Sequence, residues 1–243
     1  MKWKNDLKKK LNLSYLDLTN KTRKVGIYNF PRLLCNPSVL PDYIALYTQL
    51  SEYHKTLKTC LAFYNYDNTF DGSDGLYNAI YYNDVSRLEY YKTRFENIKY
   101  FIMPDYSVCG DIDKAENIYR IAKARRVALW LTLELRAVVF PNISYSSKDD
   151  FSFILDGLED VEYIAFSTKG TVTSKIDRDL LVDAVKLVTD NLHKLKGIIV
   201  YDVCKDNTFV DEVFSYAKKN GIEIFVLSNS LKLRNMSHKE RVA

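Results

Sequence analysis

Three aspartates sit where apolar runs give way to polar residues: Asp67 after "TCLAFYNY", Asp105 after "YFIMP" and Asp202 after "GIIVY". If these runs are parallel strands, the three carboxylates converge on one mouth from separate strands. Oxygen donors of this kind suit Mg²⁺ or Mn²⁺, with Asp67 and Asp105 as the expected metal ligands. Crowded carboxylates also push one another's pKa upward, which suits general acid–base work. Asp67, Asp105 and Asp202 are therefore the candidate catalytic residues. The competing reading is that each Asp caps a nearby loop or helix, as Asp commonly does.

Other runs end in groups that bind rather than react. Ser107 follows Asp105, and Asn142 and Ser144 follow "AVVFP". "STKGT" supplies Ser167, Thr168, Lys169 and Gly170. Hydroxyls, one ammonium and a glycine at a strand-to-loop junction can hold a phosphate, and an ordinary polar turn reads the same way. Ser107, Asn142, Ser167, Thr168, Lys169 and Gly170 are the ligand-binding candidates. The P-loop and dinucleotide glycine spacings are absent, as is a Gly-x-Ser-x-Gly nucleophile. "DGSDG" lacks the terminal Glu of a calcium loop. Cys35, Cys60, Cys109 and Cys204 form no Cys-x-x-Cys pair, and His54, His193 and His238 are scattered, so no zinc spacing exists. Cys60, Cys109 and Cys204 lie in or beside apolar runs and read as packing.

The elements that must position these residues alternate. Apolar runs near residues 58–66, 98–107, 136–144, 161–171, 197–203 and 222–230 are separated by helical patterns. One helix spans 75–95, and another carries Ile118, Ile121, Ala122, Ala128, Leu129 and Leu133 at helical spacing. A third opens at Asp177, read as its N-cap, and a fourth ends at Asn220 and Gly221. Runs that are apolar without clean alternation, joined by helices, read as a parallel sheet covered on both faces. The fold class is α/β, a mostly parallel sheet of six strands, or seven with Val25–Phe30. It is read as incomplete TIM-barrel-like, because nearly every run has a polar tip; an open doubly wound sheet is the alternative. Ligands collect at the carboxyl ends of the strands in either.

Bulk composition bounds the rest. The chain has 243 residues, 47% hydrophobic and 27% charged, enough for one large domain. Residues 1–57 read as a basic extension and connector wrapping the main domain, 58–231 as the α/β domain and 232–243 as a basic tail. Net charge is +4, with cations gathered at the ends: Lys2, Lys4, Lys8, Lys9, Lys10, Lys21, Arg23 and Lys24 at one, and Lys232, Arg234, His238, Lys239 and Arg241 at the other. Such ends attract nucleic acid or lie solvated. No apolar run is long enough to span a bilayer and no apolar stretch follows the basic start, so no membrane partner and a cytoplasmic location are expected. Tyr77, Tyr81, Tyr82, Tyr90 and Tyr91 crowd one helical segment, more than one buried face needs, which fits a protein interface or a core edge.

"MPDYSVCGD", "VVFPNISYSS", "FSFILDGL", "IAFSTKGT" and "GIIVYD" stand in the order and spacing of one family. Over roughly residues 55–205 the chain resembles a family of bacterial and phage proteins catalogued as a domain of unknown function, number forty-four seventeen. Tyr106 stands where the family shows Phe, and Asp202 where a Gly is more usual. The resemblance implies a phage or mobile-element setting and supplies no activity. Three functions follow: a protein acting on a phosphate-containing ligand, nucleic acid or nucleotide, as a metal-dependent phosphoryl-transfer or hydrolytic enzyme; a non-catalytic nucleic-acid binder in replication or its control; or a phage protein that binds a host protein.

Overall fold

The computed structural model describes residues 5–242, with side chains for 6–237. Lys2 and Lys4 lie outside the described residues, as do the side chains of His238, Lys239 and Arg241. The strands are β1 (Lys24–Val25), β2 (Phe30–Pro31), β3 (Tyr43–Leu46), β4 (Thr59–Ala62), β5 (Tyr100–Ile102), β6 (Val138–Phe140), β7 (Tyr163–Ser167), β8 (Gly197–Tyr201) and β9 (Glu223–Val226). The helices are α1 (Asn5–Lys10), α2 (Leu16–Thr19), α3 (Leu76–Tyr82), α4 (Val85–Arg94), α5 (Lys114–Glu134), α6 (Lys175–Asn191), α7 (Thr208–Val213), α8 (Ser215–Lys219) and α9 (Ser230–Val242).

The chain is a mixed α/β fold with two parallel sheets, β3-β4-β5-β6 and β7-β8-β9, and an antiparallel β1-β2 pair. All six expected runs form strands. Their apolar character follows from burial: every residue of β3, β4 and β8 is buried, as in sheets covered on both faces. The two sheets replace the single sheet of six to seven strands expected. Where β6 would continue toward β7, Pro141 has no N–H to give, and pairing is confined to the bridge Asn142–Ala165. There Ala165 N–H donates to Pro141 O at 2.8 Å and Ile143 N–H to Ala165 O at 3.2 Å. At the opposite edges Tyr43 bridges Ser228, with Ile44 N–H donating to Ser228 O at 2.8 Å.

The N-terminal residues differ most from expectation. Val25–Phe30 is not a strand of the main sheet; its ends belong to the short β1-β2 pair. The strand that joins the main sheet is β3, inside the stretch read as a connector, and it pairs with β4 in register from Tyr43–Thr59 to Leu46–Ala62. Two prolines nearby concealed a four-residue strand. The segment after β2 is pinned at Gly157, whose φ is +80° and whose missing Cβ leaves room for Pro31 O; Leu33 N–H donates to Gly157 O at 2.8 Å.

The helical segment 75–95 divides in two. Asn83 takes a left-handed conformation (φ 54°, ψ 48°) and ends α3, and the Asp84 carboxylate caps α4 by accepting from Arg87 N–H at 3.1 Å. The α6 cap is Ser174, whose Oγ accepts from Asp177 N–H at 3.3 Å; Asp177 is not the N-cap. Cys109 is exposed rather than packed, whereas Cys35 and Cys60 are buried.

The basic C-terminal segment is not wholly a solvated tail. Residues 230–242 form α9, and Lys232 is buried in it. Its ammonium donates to Asp202 Oδ2 at 2.5 Å and to Asn207 Oδ1 at 2.6 Å, and its backbone N–H to Asn229 Oδ1 at 2.9 Å. The side chain of Asp202 is 0% exposed. Removing one partner leaves a buried charge uncompensated, so Lys232→Met is expected to cost about 3 kcal/mol. Urea unfolding measures this, and a loss below about 1 kcal/mol would show that α9 is not held by the pair.

Candidate functional site

The carboxyl ends of β5, β6 and β7 border a cavity of about 460 Å³. Asp105, Ser107, Asn142, Ser144, Ser167 and Lys169 line it. Each is placed by a strand end. β5 stops at Ile102, Met103 N–H still donates to Phe140 O at 2.9 Å, and Pro104 then ends the pairing, so Asp105 is the first residue free to turn inward. Asn142 follows Pro141 at the seam between the sheets. Ser167 ends β7, and its Oγ accepts from Lys169 N–H at 3.0 Å, curling the chain so that Lys169 returns toward β4. The Lys169 ammonium donates to Tyr64 O at 2.8 Å and lies 5.6 Å from the centre of the Tyr66 ring. Gly170, at φ +92°, completes the turn with open space around it.

Asp105 is the chemical centre. Its Oδ1 accepts from Asn142 Nδ2 at 2.8 Å and from Ser144 Oγ at 3.0 Å. Its Oδ2 takes no hydrogen bond from the described residues. Burial pushes the carboxyl up to about 6; the Ser144 bond opposes this, the Asp67 charge adds to it, and the Asn142 bond and Lys169 oppose it. A half-buried carboxyl with one oxygen fixed, the other free and an affinity for protons near neutrality is suited to giving and taking a proton.

Asp67 has a different task. It accepts from Ser107 N–H at 3.1 Å, from Ser107 Oγ at 3.0 Å and from Arg120 Nη1 at 3.0 Å. Arg120 also donates to Ser107 O at 2.7 Å. Asp67 thus fixes the loop after β5 instead of facing the cavity. Both oxygens of Asp67 and one of Asp105 are engaged by N–H and O–H donors. Among the described residues no three His, Cys, Asp or Glu side chains gather as metal ligands would. A Mg²⁺ or Mn²⁺ ion shared by Asp67 and Asp105 would have to displace Arg120 and Ser107.

Asp202 and Thr168 lie apart from the cavity lining. Thr168 Oγ1 donates to Asp202 Oδ1 at 2.9 Å and accepts from Val203 N–H at 3.1 Å, and Asp202 Oδ2 holds Lys232. Asp202 is thus committed to holding α9.

Three residues were not foreseen as part of the site. Tyr64 donates to Asn142 Oδ1 at 2.8 Å and stacks on Tyr201 with ring centres 5.1 Å apart. The first run was expected to present Asp67, but β4 ends at Ala62, so the first polar side chain beyond it is the Tyr64 phenol. Tyr145 and Asp177 line the cavity from the β6 loop and the first turn of α6. The spare signal for Asp177 was Ser174 three residues earlier, which takes the capping role.

The raised Asp105 sets a sign for stability. The folded chain binds this proton more readily than the unfolded one. The contribution is therefore whole below the unfolded value of about 4 and is lost as pH rises through about 6. Asp105→Asn keeps an Oδ1 acceptor for Asn142 and Ser144 and removes the charge. It is expected to stabilise the fold by about 1 kcal/mol near pH 7.5 and to have little effect near pH 4, after allowance for partial solvent exposure. Urea titrations at the two pH values check this; an equal effect at both would remove the burial argument.

No curated protein and no solved structure matches the chain. A family model does, over residues 22–217, starting before β1 and ending within α8, so that it takes in every element of the cavity. The chain belongs to the family described as Domain of unknown function (DUF4417).

Proposed function

We propose that the chain is an enzyme that binds a small phosphate-bearing ligand of nucleotide size in the cavity at the ends of β5, β6 and β7. In this reading Asp105 exchanges a proton with the ligand and Lys169 faces its phosphate. The observation that carries it is Asp105 itself, one oxygen fixed by Asn142 and Ser144, the other open to a cavity of about 460 Å³. That volume lies within the roughly 300–1,000 Å³ of small-ligand sites. The exposed Lys169, the hydroxyl of Ser167 and the open turn at Gly170 support the phosphate end.

The same proposal includes the architecture. Bridges at Asn142–Ala165 and Tyr43–Ser228 link the two sheets at both pairs of edges. They support a closed ring of seven parallel strands, TIM-barrel-like but one strand short, in which the mouth at the carboxyl ends is the expected place for chemistry. The phage or mobile-element setting and the cytoplasm of a bacterial host come from the resemblance and belong to the proposal too. A metal-assisted version requires Mg²⁺ or Mn²⁺ to open the Asp67–Arg120 pair.

The other two readings draw less support. For a nucleic-acid binder, Lys8, Lys21 and Lys232 are already paired with Asp17, Glu134 and Asp202. For a host-protein surface, Tyr77 and Tyr91 are buried and Tyr81 stacks on Tyr15, leaving Tyr82 and Tyr90 exposed.

Calorimetric titration with nucleoside mono-, di- and triphosphates tests the reading. Saturable binding is expected, weakened about tenfold by Lys169→Ala, the loss of one charge-assisted contact. Absence of binding, or affinity indifferent to Lys169, would sink it. Titration with Mg²⁺ and Mn²⁺ alone separates the metal-assisted version.

A further inference from the structure

We propose that Asp177 is a second catalytic residue, and that with Asp105 it hydrolyses the N-glycosidic bond of a nucleoside monophosphate. The inference rests on the nucleotide-binding reading above and adds the bond that is broken.

Asp177 is relieved of the task its position suggested. Ser174 caps α6, and the Asp177 carboxylate makes no hydrogen bond or ion pair with the described residues. It lines the same cavity as Asp105, at the first turn of a 17-residue helix whose dipole favours a negative charge there. Tyr145 lines that cavity together with both carboxylates. Burial, then the charge of Asp105, then that of Asp177 push its phenol upward, so the ring is within electrostatic reach of each. Its hydroxyl has no partner among the described residues and stays a neutral donor for a ligand.

The charge of the cavity selects the reaction. Two carboxylates repel the equatorial oxygens of a phosphoryl group in transfer, and Lys169 alone does not offset both. They stabilise instead a centre that becomes positive, as the sugar carbon does when a glycosidic bond breaks. The phosphate is then an anchor at Lys169, while the carboxylates act at the bond between sugar and base. The two groups also differ in setting: Asp105, pushed up to about 6 mainly by burial, exchanges a proton near neutrality, while Asp177 stands at the exposed rim, open to solvent water.

The step balances without a further reactant. Asp105 donates its proton to the leaving base nitrogen as the carbon–nitrogen bond breaks and its electron pair departs with the base. Water forms the new carbon–oxygen bond at the sugar, and Asp177 takes the proton that water releases. Nucleoside monophosphate and water give sugar phosphate and free base. Exchange with solvent returns the proton from Asp177 to Asp105.

The purified chain is incubated with each common nucleoside monophosphate, and free base, nucleoside and phosphate are separated chromatographically. Release of free base with sugar phosphate is expected. D177N should lower kcat at least about a hundredfold while calorimetric affinity for the monophosphate stays within about threefold. Should D177N fail to fold, Asp177→Ser is compared in its place, with unfolding temperature as the control. Nucleotides that bind without release of base, or that lose phosphate instead, would overturn the inference and leave the binding reading standing. Base release unchanged in the Asp177 variant would overturn the role of Asp177.

Discussion

Asn142 is the point through which the site is held. One amide side chain accepts from the Tyr64 phenol beyond β4 and donates to Asp105 beyond β5 and to Ser144 beyond β6. Among the described residues, its backbone stands at the one pair bridging the β6 and β7 chains. Three strand ends are therefore tied through one side chain that is 4% exposed, on a residue whose backbone sits at the seam between two sheets. A buried amide must have its donors and acceptor satisfied, and here the satisfaction is supplied entirely by the site. The geometry of Asp105 and the joining of the sheets are in this sense one constraint.

Three other aspartates are paired with cations and are not left as free charges. Asp67 is neutralised by Arg120, Asp71 by Lys123 and Asp202 by Lys232. Each pair also fixes a loop or helix around the mouth. Lys123 lies 4.4 Å from the centre of the Tyr106 ring, behind the loop that carries Asp105. Asp105 and Asp177 are carboxylates of the mouth left without a cation in hydrogen-bond contact, and Lys169, held by a carbonyl, keeps its charge available. Three carboxylates were expected to converge; pairing separates them, so that two serve structure and one faces the cavity.

Much of the fold was legible because burial leaves a mark in composition. β4 to β9 are apolar runs, and Asp105, Ser107, Asn142, Ser167 and Lys169 stand at their ends as the parallel reading requires. What was not legible depended on contacts distant in sequence. β3 has four residues just after two prolines, Pro37 and Pro41, and its pairing with β4 marks it as core. Asp202 looks like Asp105 in the sequence, and only the return of Lys232 from α9 makes it structural. Lys232 itself reads as one more basic residue near the end. Asp177 follows the rule for helix caps, and the rule failed because Ser174, a competitor of equal quality, is closer to the turn.

The seam that divides the sheets is also what makes room for a ligand. A full ladder between β6 and β7 would carry regular pairing to the strand ends and bring their tips together. Pro141 removes a donor at that point, and beyond Asn142 the two chains diverge, β6 toward Ser144 and Tyr145, β7 toward Lys169 and Thr171. The cavity lies between these branches. Asp105 joins its lining from beyond β5 and Asp177 from the first turn of α6, on either side of the seam in the chain order of the strands. A proline that weakens pairing and an aspartate that is costly to bury are both unfavourable choices for stability alone, and they meet at the same mouth. Their coincidence there is better explained by a site than by packing.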